Sequence, residues 1–180
     1  MLVLVNNRKL SEYLLQLSTM KEKIIQLLDD LQVKFHWLNH PAVYTVADIK
    51  NLPEYIKPIK NLLVQEEGGG QKFLIVMAGD KRLDQKLIRE KLKNKRLRFA
   101  SDEILMKTLG TTPGSVSIFS FLNDGSGDVK VIIDQEILKD DEIGFHPNIN
   151  TATIIFPTKK LEIIINHLGC DYIIMQLYDE

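Results

Sequence analysis

Cysteine is almost missing from this chain: Cys170 is the only one in 180 residues. An intramolecular disulfide is thereby excluded, and a reducing compartment is the simpler expectation. Long apolar runs are missing too. The opening MLVLV is five residues long with no basic stretch before it, too short for a signal peptide or a membrane span. A cytosolic protein with no membrane partner is expected. Aromatics are sparse at 7%, while 44% hydrophobic and 26% charged residues match an ordinary soluble domain, neither disordered nor fibrous. An excess of charge of either sign is also absent, since 23 Lys plus Arg meet 24 Asp plus Glu. That balance hides a segregation: residues 81–98 hold nine bases and two acids, leaving fourteen against twenty-two elsewhere.

What is present reads as one domain, because a chain of this length buries roughly 70% of its unfolded surface without staples. The segment Thr19 to Leu31 has capping-box spacing at Thr19 and Glu22 and an apolar stripe at Ile24, Leu27, Leu28 and Leu31, which predicts a helix. Residues 1–20 form an extension of unassigned role in front of a domain spanning 21–180. Alternation of Val33, Phe35 and Trp37 with Lys34 and His36 predicts a strand that ends at His40-Pro41. A short capped helix is expected at Thr45 to Asp48, then strands at Asn61 to Gln65 and Lys72 to Ala78, joined through Gly68, Gly69 and Gly70. Those glycines suit a hairpin turn; a phosphate-binding loop would need a Lys-Ser/Thr ending and a following helix.

Residues 81–98 carry a helical stripe of Leu83, Leu87, Ile88 and Leu92 with the charges outside it. Ser101 caps a further helix closed by Gly110. Val116 to Phe121 and Val129 to Asp134 read as a second hairpin. A strand at Thr151 to Phe156, a helix capped by Thr158 and ended at Gly169, and a strand at Tyr172 to Leu177 complete the chain. The expected fold is α+β, a single domain with a mixed β-sheet surrounded by helices.

Familiar catalytic arrangements are lacking: no GxSxG elbow, no CxxC pair and no HExxH helix occur. Asp124, Ser126 and Asp128 resemble the start of a calcium loop, but Val129 and Gln135 stand where it needs glycine and glutamate. Cys170 reads as a buried structural thiol. Polar residues at strand entrances remain: Lys60-Asn61, the TTPGSVS run with Gly114, Ser115 and Ser117, and His146, Asn148 and Asn150 of HPNIN. Each alone is compatible with turn chemistry.

Together and in order, HPAVYTV (40–46), KNLLV (60–64), LGTTPGSVSIF (109–119), VIID (131–134) and HPNIN (146–150) resemble the YbaK/ProX family of aminoacyl-tRNA deacylases, over about Val33 to Leu177. HPNIN beside KNL is most similar to the prolyl-tRNA editing branch. The resemblance implies hydrolysis of the alanyl ester of mischarged Ala-tRNA(Pro), with tRNA and prolyl-tRNA synthetase as partners and no metal or other cofactor. Deacylation of Cys-tRNA(Pro) or Ser-tRNA, and a catalytically silent tRNA- or synthetase-binding module, remain open alternatives. Relatives commonly read GSVSPFG, where this chain has Ile118 and Ser120.

The implied roles follow from ester chemistry, in which negative charge develops on the carbonyl oxygen and needs positioned donors. Backbone N–H groups at Gly114 and Ser115 would supply them, Lys60 would hold the terminal phosphate or the ester, and His146 would orient water or ribose. Asn61, Asn148 and Ser117 would bind the amino group or hydroxyls, with Val43, Tyr44, Leu62 and Phe119 as pocket walls. Lys91, Lys93, Lys95 and Arg96, in the basic segment, are candidates for meeting tRNA phosphates.

Overall fold

The computed structural model describes residues 7–43, 53, 56–93, 96–123 and 128–178, with side chains from residue 19 onward. Tyr44, the expected helix at Thr45 to Asp48, Lys95 and most of the Asn123 to Asp128 turn lie outside these residues.

The chain begins with α1 (Asn7–Asp30), whose Met20, Ile24, Leu27 and Leu28 are buried. The helix starts twelve residues earlier than the capping-box reading requires, so Thr19 is interior to it and the boundary at residue 20 falls within one continuous helix. It ends where Gln32 turns left-handed (φ 52°), with Gln32 N–H donating to Asp29 O and Val33 N–H to Leu28 O. β1 (His36–Asn39) follows, and then the hairpin of β2 (Ile59–Glu66) and β3 (Lys72–Ala78). Gly68 and Gly69, both near φ +90°, make its turn as expected.

Residues 81–98 do not form one helical unit. α2 (Gln85–Leu92) is capped by the Asp84 carboxylate and stopped by left-handed Lys93, after which β4 (Leu97–Phe99) pairs with β2. α3 (Asp102–Leu109) is bounded by Ser101 and left-handed Gly110, as its sequence predicts. The apolar run after it is not a strand. Ser117 and Ser120 form a reciprocal capping box that winds Ile118–Leu122 into a buried 3₁₀ turn. β5 (Val129–Asp134) therefore has no hairpin partner in sequence and inserts parallel to β3. Its run VKVIID suits a central strand covered on both faces.

β6 (Glu142–Phe145) and β7 (Ala152–Pro157) precede α4 (Leu161–His167) and β8 (Tyr172–Met175). Thr158 does not cap α4: its hydroxyl is buried without a partner, and a 3₁₀ turn at Thr158–Lys160 leads into the helix.

Two sheets result, a mixed five-stranded one in the order β4-β2-β3-β5-β8 and an antiparallel three-stranded one in the order β1-β7-β6. Strand alternation divides the apolar residues into two cores. Leu63, Leu74, Val76, Val131 and Ile133 face the first, with α1, α4, Phe145, Ile154 and Phe156; Phe145 and Phe156 stack at 5.7 Å. Val64, Phe73, Ile75, Met77 and Ile132 face the second, beneath Ile88 of α2 and Leu177. No helix among the described residues is long and apolar enough to cross a membrane.

Candidate active site

The HPNIN loop follows β6, and its residues are set by the small sheet. His146 Nδ1 donates to the Ala152 carbonyl at 2.9 Å, so in the neutral ring the proton sits on Nδ1 and the lone pair on Nε2. Burial pushes the imidazole below its ordinary pKa, and nearby His40 pushes the same way, against the Ala152 and Ile149 carbonyls. His40 approaches edge-on, with ring centroids 5.8 Å apart. It is held at both nitrogens, Nδ1 on the Pro41 carbonyl at 2.8 Å and Nε2 on the Thr153 hydroxyl at 2.9 Å. Gly144 is required beside this pair, because a Cβ there would lie 2.9 Å from Thr153 Cγ2.

Asn148 takes the left-handed conformation (φ 61°) that asparagine tolerates better than most residues. Its Oδ1 accepts from Ser120 Oγ at 2.8 Å, while Nδ2 is buried and unpartnered. Ser120, read in sequence only as a departure from the usual loop, therefore joins the two motifs: it closes the capping box and anchors Asn148. The spacing of Ser117 and Ser120 carried that signal. Ile118, the other departure, is fully buried in the first core and touches packing rather than the polar cluster.

The Thr111 to Ser117 segment supplies fewer donors than expected. Thr112 to Ser115 is a turn with Pro113 second, Gly114 third at φ 83°, and the Ser115 N–H given to the Thr112 carbonyl at 3.1 Å. That N–H is already used, which leaves the Gly114 N–H as the loop's candidate donor. Ser117 is fully buried, its hydroxyl accepting from the Phe119 N–H. Phe119 is fully buried edge-on to both Phe145 and Phe156, at 6.4 and 6.5 Å, a core residue rather than an open wall. Val43 is buried where its N–H meets the Asn150 carbonyl.

Lys60 and Asn61 are neighbours in sequence but not in direction. The β2–β3 register is continuous from Ile59 to Gln65, so Lys60 shares a face with Leu62 and Val64, and Asn61 shares the other with Leu63. Lys60 thus opens on the α2 side. Its Nζ donates to the carbonyls of Gly79, at 3.2 Å, and Lys81, and burial lowers its pKa. Leu62 is on that same side, away from the histidines. Asn61 presents a buried Oδ1 with no partner. Of the basic candidates, Lys91 donates to the Gln176 carbonyl, Lys93 ends α2, and Arg96 is exposed next to it. Burial and the Asp171 charge push the Cys170 thiol up to about 12, in keeping with a structural thiol.

The HPNIN loop offers an oriented imidazole and an unpaired buried amide donor at Asn148, and β2 offers an unpaired buried amide acceptor at Asn61. An unmet buried group costs about 1–3 kcal/mol, which is recovered when a ligand supplies the partner.

Residues 40–163 match the model of the aminoacyl-tRNA editing domain. The chain is 34% identical over 154 residues to the prolyl-tRNA editing protein ProX of Acetoanaerobium sticklandii, covering 83% of this chain and 92% of that protein. It is 23% identical over 139 residues to prolyl-tRNA synthetase associated domain-containing protein 1 of Danio rerio, covering 75% of each. Among solved structures, one described as a proposed trans-editing enzyme for prolyl tRNA synthetase superposes with a TM-score of 0.65 at 18% identity, over 89% of this chain and 98% of the other.

Proposed function

Because the chain belongs to the aminoacyl-tRNA editing domain family, we propose that it is a trans-editing deacylase of mischarged tRNA(Pro), with Ala-tRNA(Pro) as its substrate. The observation that carries the site assignment is the pair of buried, unpartnered amide atoms, Asn61 Oδ1 and Asn148 Nδ2, with a desolvated histidine in the same HPNIN loop as the latter.

The reaction breaks the bond between the alanyl carbonyl carbon and the ribose oxygen. Water adds to the carbonyl, its proton passes to an acceptor, and the ribose leaves as an alcohol with the proton returned. His146 Nε2, neutral and aimed by the Ala152 bond, is the acceptor that orients the water or the adjacent ribose hydroxyl. The Gly114 N–H and Asn148 Nδ2 are donors for the developing oxyanion. Asn61 Oδ1 accepts from the alanine ammonium. Lys60 faces the other side of the sheet, so its charge serves the incoming RNA rather than the carbonyl.

The energetic need for such a site is plain. A synthetase pocket that holds proline rejects alanine by only about 1–3 kcal/mol, since small apolar groups differ so little in transfer energy. A second pocket that admits alanine and excludes proline by overlap corrects the error.

A panel of aminoacyl-tRNAs incubated with the purified chain tests this reading. Release of alanine from Ala-tRNA(Pro), well above release from Cys-tRNA(Pro) and Ser-tRNA, is expected. Preference for one of the others would reassign the substrate. RNA binding without hydrolysis at high protein concentration would leave a silent binding module instead.

A further inference from the structure

The α2 face of the five-stranded sheet holds a cleft of about 840 Å³ that plays no part in the ester chemistry above. Its wall and floor combine Lys60, Leu62, Arg82, Leu83, Phe99 and Tyr178. Phe99 is the most exposed large apolar side chain among the described residues, at 58%. An exposed apolar residue is ordinary by itself. This one differs in its surroundings. It sits opposite Val64 in the β2–β4 register, so its ring is on the face of Lys60 and Leu62, beside the cleft rather than out on a smooth surface.

The cleft carries cations beside its aromatic rings. Lys60 and Arg82 line it and Lys81 stands at its Tyr178 wall, while the acids near it are Asp84, taken up in capping α2, and Asp80, Asp134 and Glu136 on the Tyr178 side. At the far wall the Lys81 ammonium lies 5.3 Å from the centre of the Tyr178 ring. An open aromatic face with cations at hand is how proteins hold single-stranded nucleic acid: bases stack on the ring, and phosphates meet the charges. A duplex would gain the charges but not the ring, because its bases are already stacked.

We propose that this cleft is a docking site for the unpaired 3′ strand of tRNA, with Phe99 as the stacking platform for a base and Arg82 as a phosphate contact. The site rests on the tRNA-editing reading. It adds to it a fixed path for the acceptor strand across the α2 face, with Lys60 standing on that face while its neighbour Asn61 looks into the other.

The test uses the full chain and a 5′-labelled single-stranded RNA ending in CCA, followed by fluorescence anisotropy, with a blunt RNA hairpin of equal length as comparison. Phe99→Ala should weaken single-strand binding on the order of tenfold and leave hairpin binding unchanged, while Phe99→Trp should retain it. Arg82→Ala should reduce the salt dependence of single-strand binding by about the slope of one phosphate. The exposure of Phe99 keeps folding of the variants secure, and circular dichroism verifies it. Single-strand binding that ignores Phe99, an equal loss on the hairpin, or no measurable binding overturns the proposal. If no charged tRNA is hydrolysed but Phe99-dependent binding persists, the deacylase reading fails and the docking site stands. If hydrolysis proceeds with a Michaelis constant indifferent to Phe99→Ala, the docking site fails and the deacylase reading stands.

Discussion

At the scale of single residues, His146 carries the most testable chemistry. Its folded pKa lies below the ordinary value of 6.5 because burial disfavours the cation. The unfolded chain therefore binds more protons near pH 6, and the linkage has one sign. The stabilising contribution of the neutral ring is fully present above pH 6.5 and is lost as pH falls toward the folded value. Denaturant melts of wild type and His146→Gln across pH 5 to 7.5 should show a wild-type decline that the variant lacks. The rate of deacylation, if Nε2 is the acceptor, should fall over the same acidic range and stay flat above neutrality. Ser120 offers a second check. Ser120→Ala removes the hydroxyl that accepts from the Ser117 N–H and donates to Asn148, so a loss of about 1–2 kcal/mol in stability is expected, together with a lower kcat. Restored activity in a doubly substituted Ser120→Ala, Asn148→Ala protein would contradict the positioning role of Ser120. Lys60→Ala should raise the Michaelis constant for tRNA and loosen the loop after β3, since Nζ ties the Gly79 and Lys81 carbonyls.

At the scale of elements, the helix ends behave as their residues dictate. Ser101 Oγ accepts from the Ile104 N–H, and Ser101→Ala should cost about 1 kcal/mol in a thermal or denaturant melt. Gly110 does two jobs, a left-handed φ of 62° and clearance for Asn123, whose Nδ2 would lie 2.9 Å from an added Cβ and donates to the Leu109 carbonyl. Gly110→Ala should therefore destabilise by more than the ordinary helix-end penalty of about 1 kcal/mol. The boundaries of α3, β3, β5 and β7 were legible in sequence because each has a punctuating residue or an unbroken apolar run. The 3₁₀ turn at Ile118–Leu122 was not. Its apolar residues match a buried strand equally well, and only the Ser117–Ser120 box, a local hydrogen-bond pattern, decides between them. The split of residues 81–98 was hidden for a related reason: helical period continues through Leu92, while the stop is a left-handed lysine with no glycine to announce it.

At the scale of the whole molecule, the two cores are the frame on which the site depends. Phe156 is fully buried against Phe119 and Phe145, and Phe156→Ala should cost about 3–5 kcal/mol, enough to unfold a marginal domain at growth temperature. The segregated charge should show in catalysis. Reversing Lys91 and Lys93 to Glu is expected to raise the Michaelis constant for tRNA and flatten its dependence on salt between about 50 and 200 mM, with kcat little changed; unaltered kinetics would remove these residues from the RNA path. By itself the sequence determined the family, through ordered motifs whose residue types must recur together, and most of the elements, through periodicity and caps. It also determined which residues are polar where a strand begins. Only the tertiary structure decided how those residues are shared out. The β2–β3 register and the packing above it set which core Lys60 and Asn61 each face, and Ser120 reaches across 28 positions to hold Asn148. Which face of a strand meets which core, and which distant residue completes a hydrogen bond, depend on contacts between segments far apart in the chain, and no local pattern encodes them.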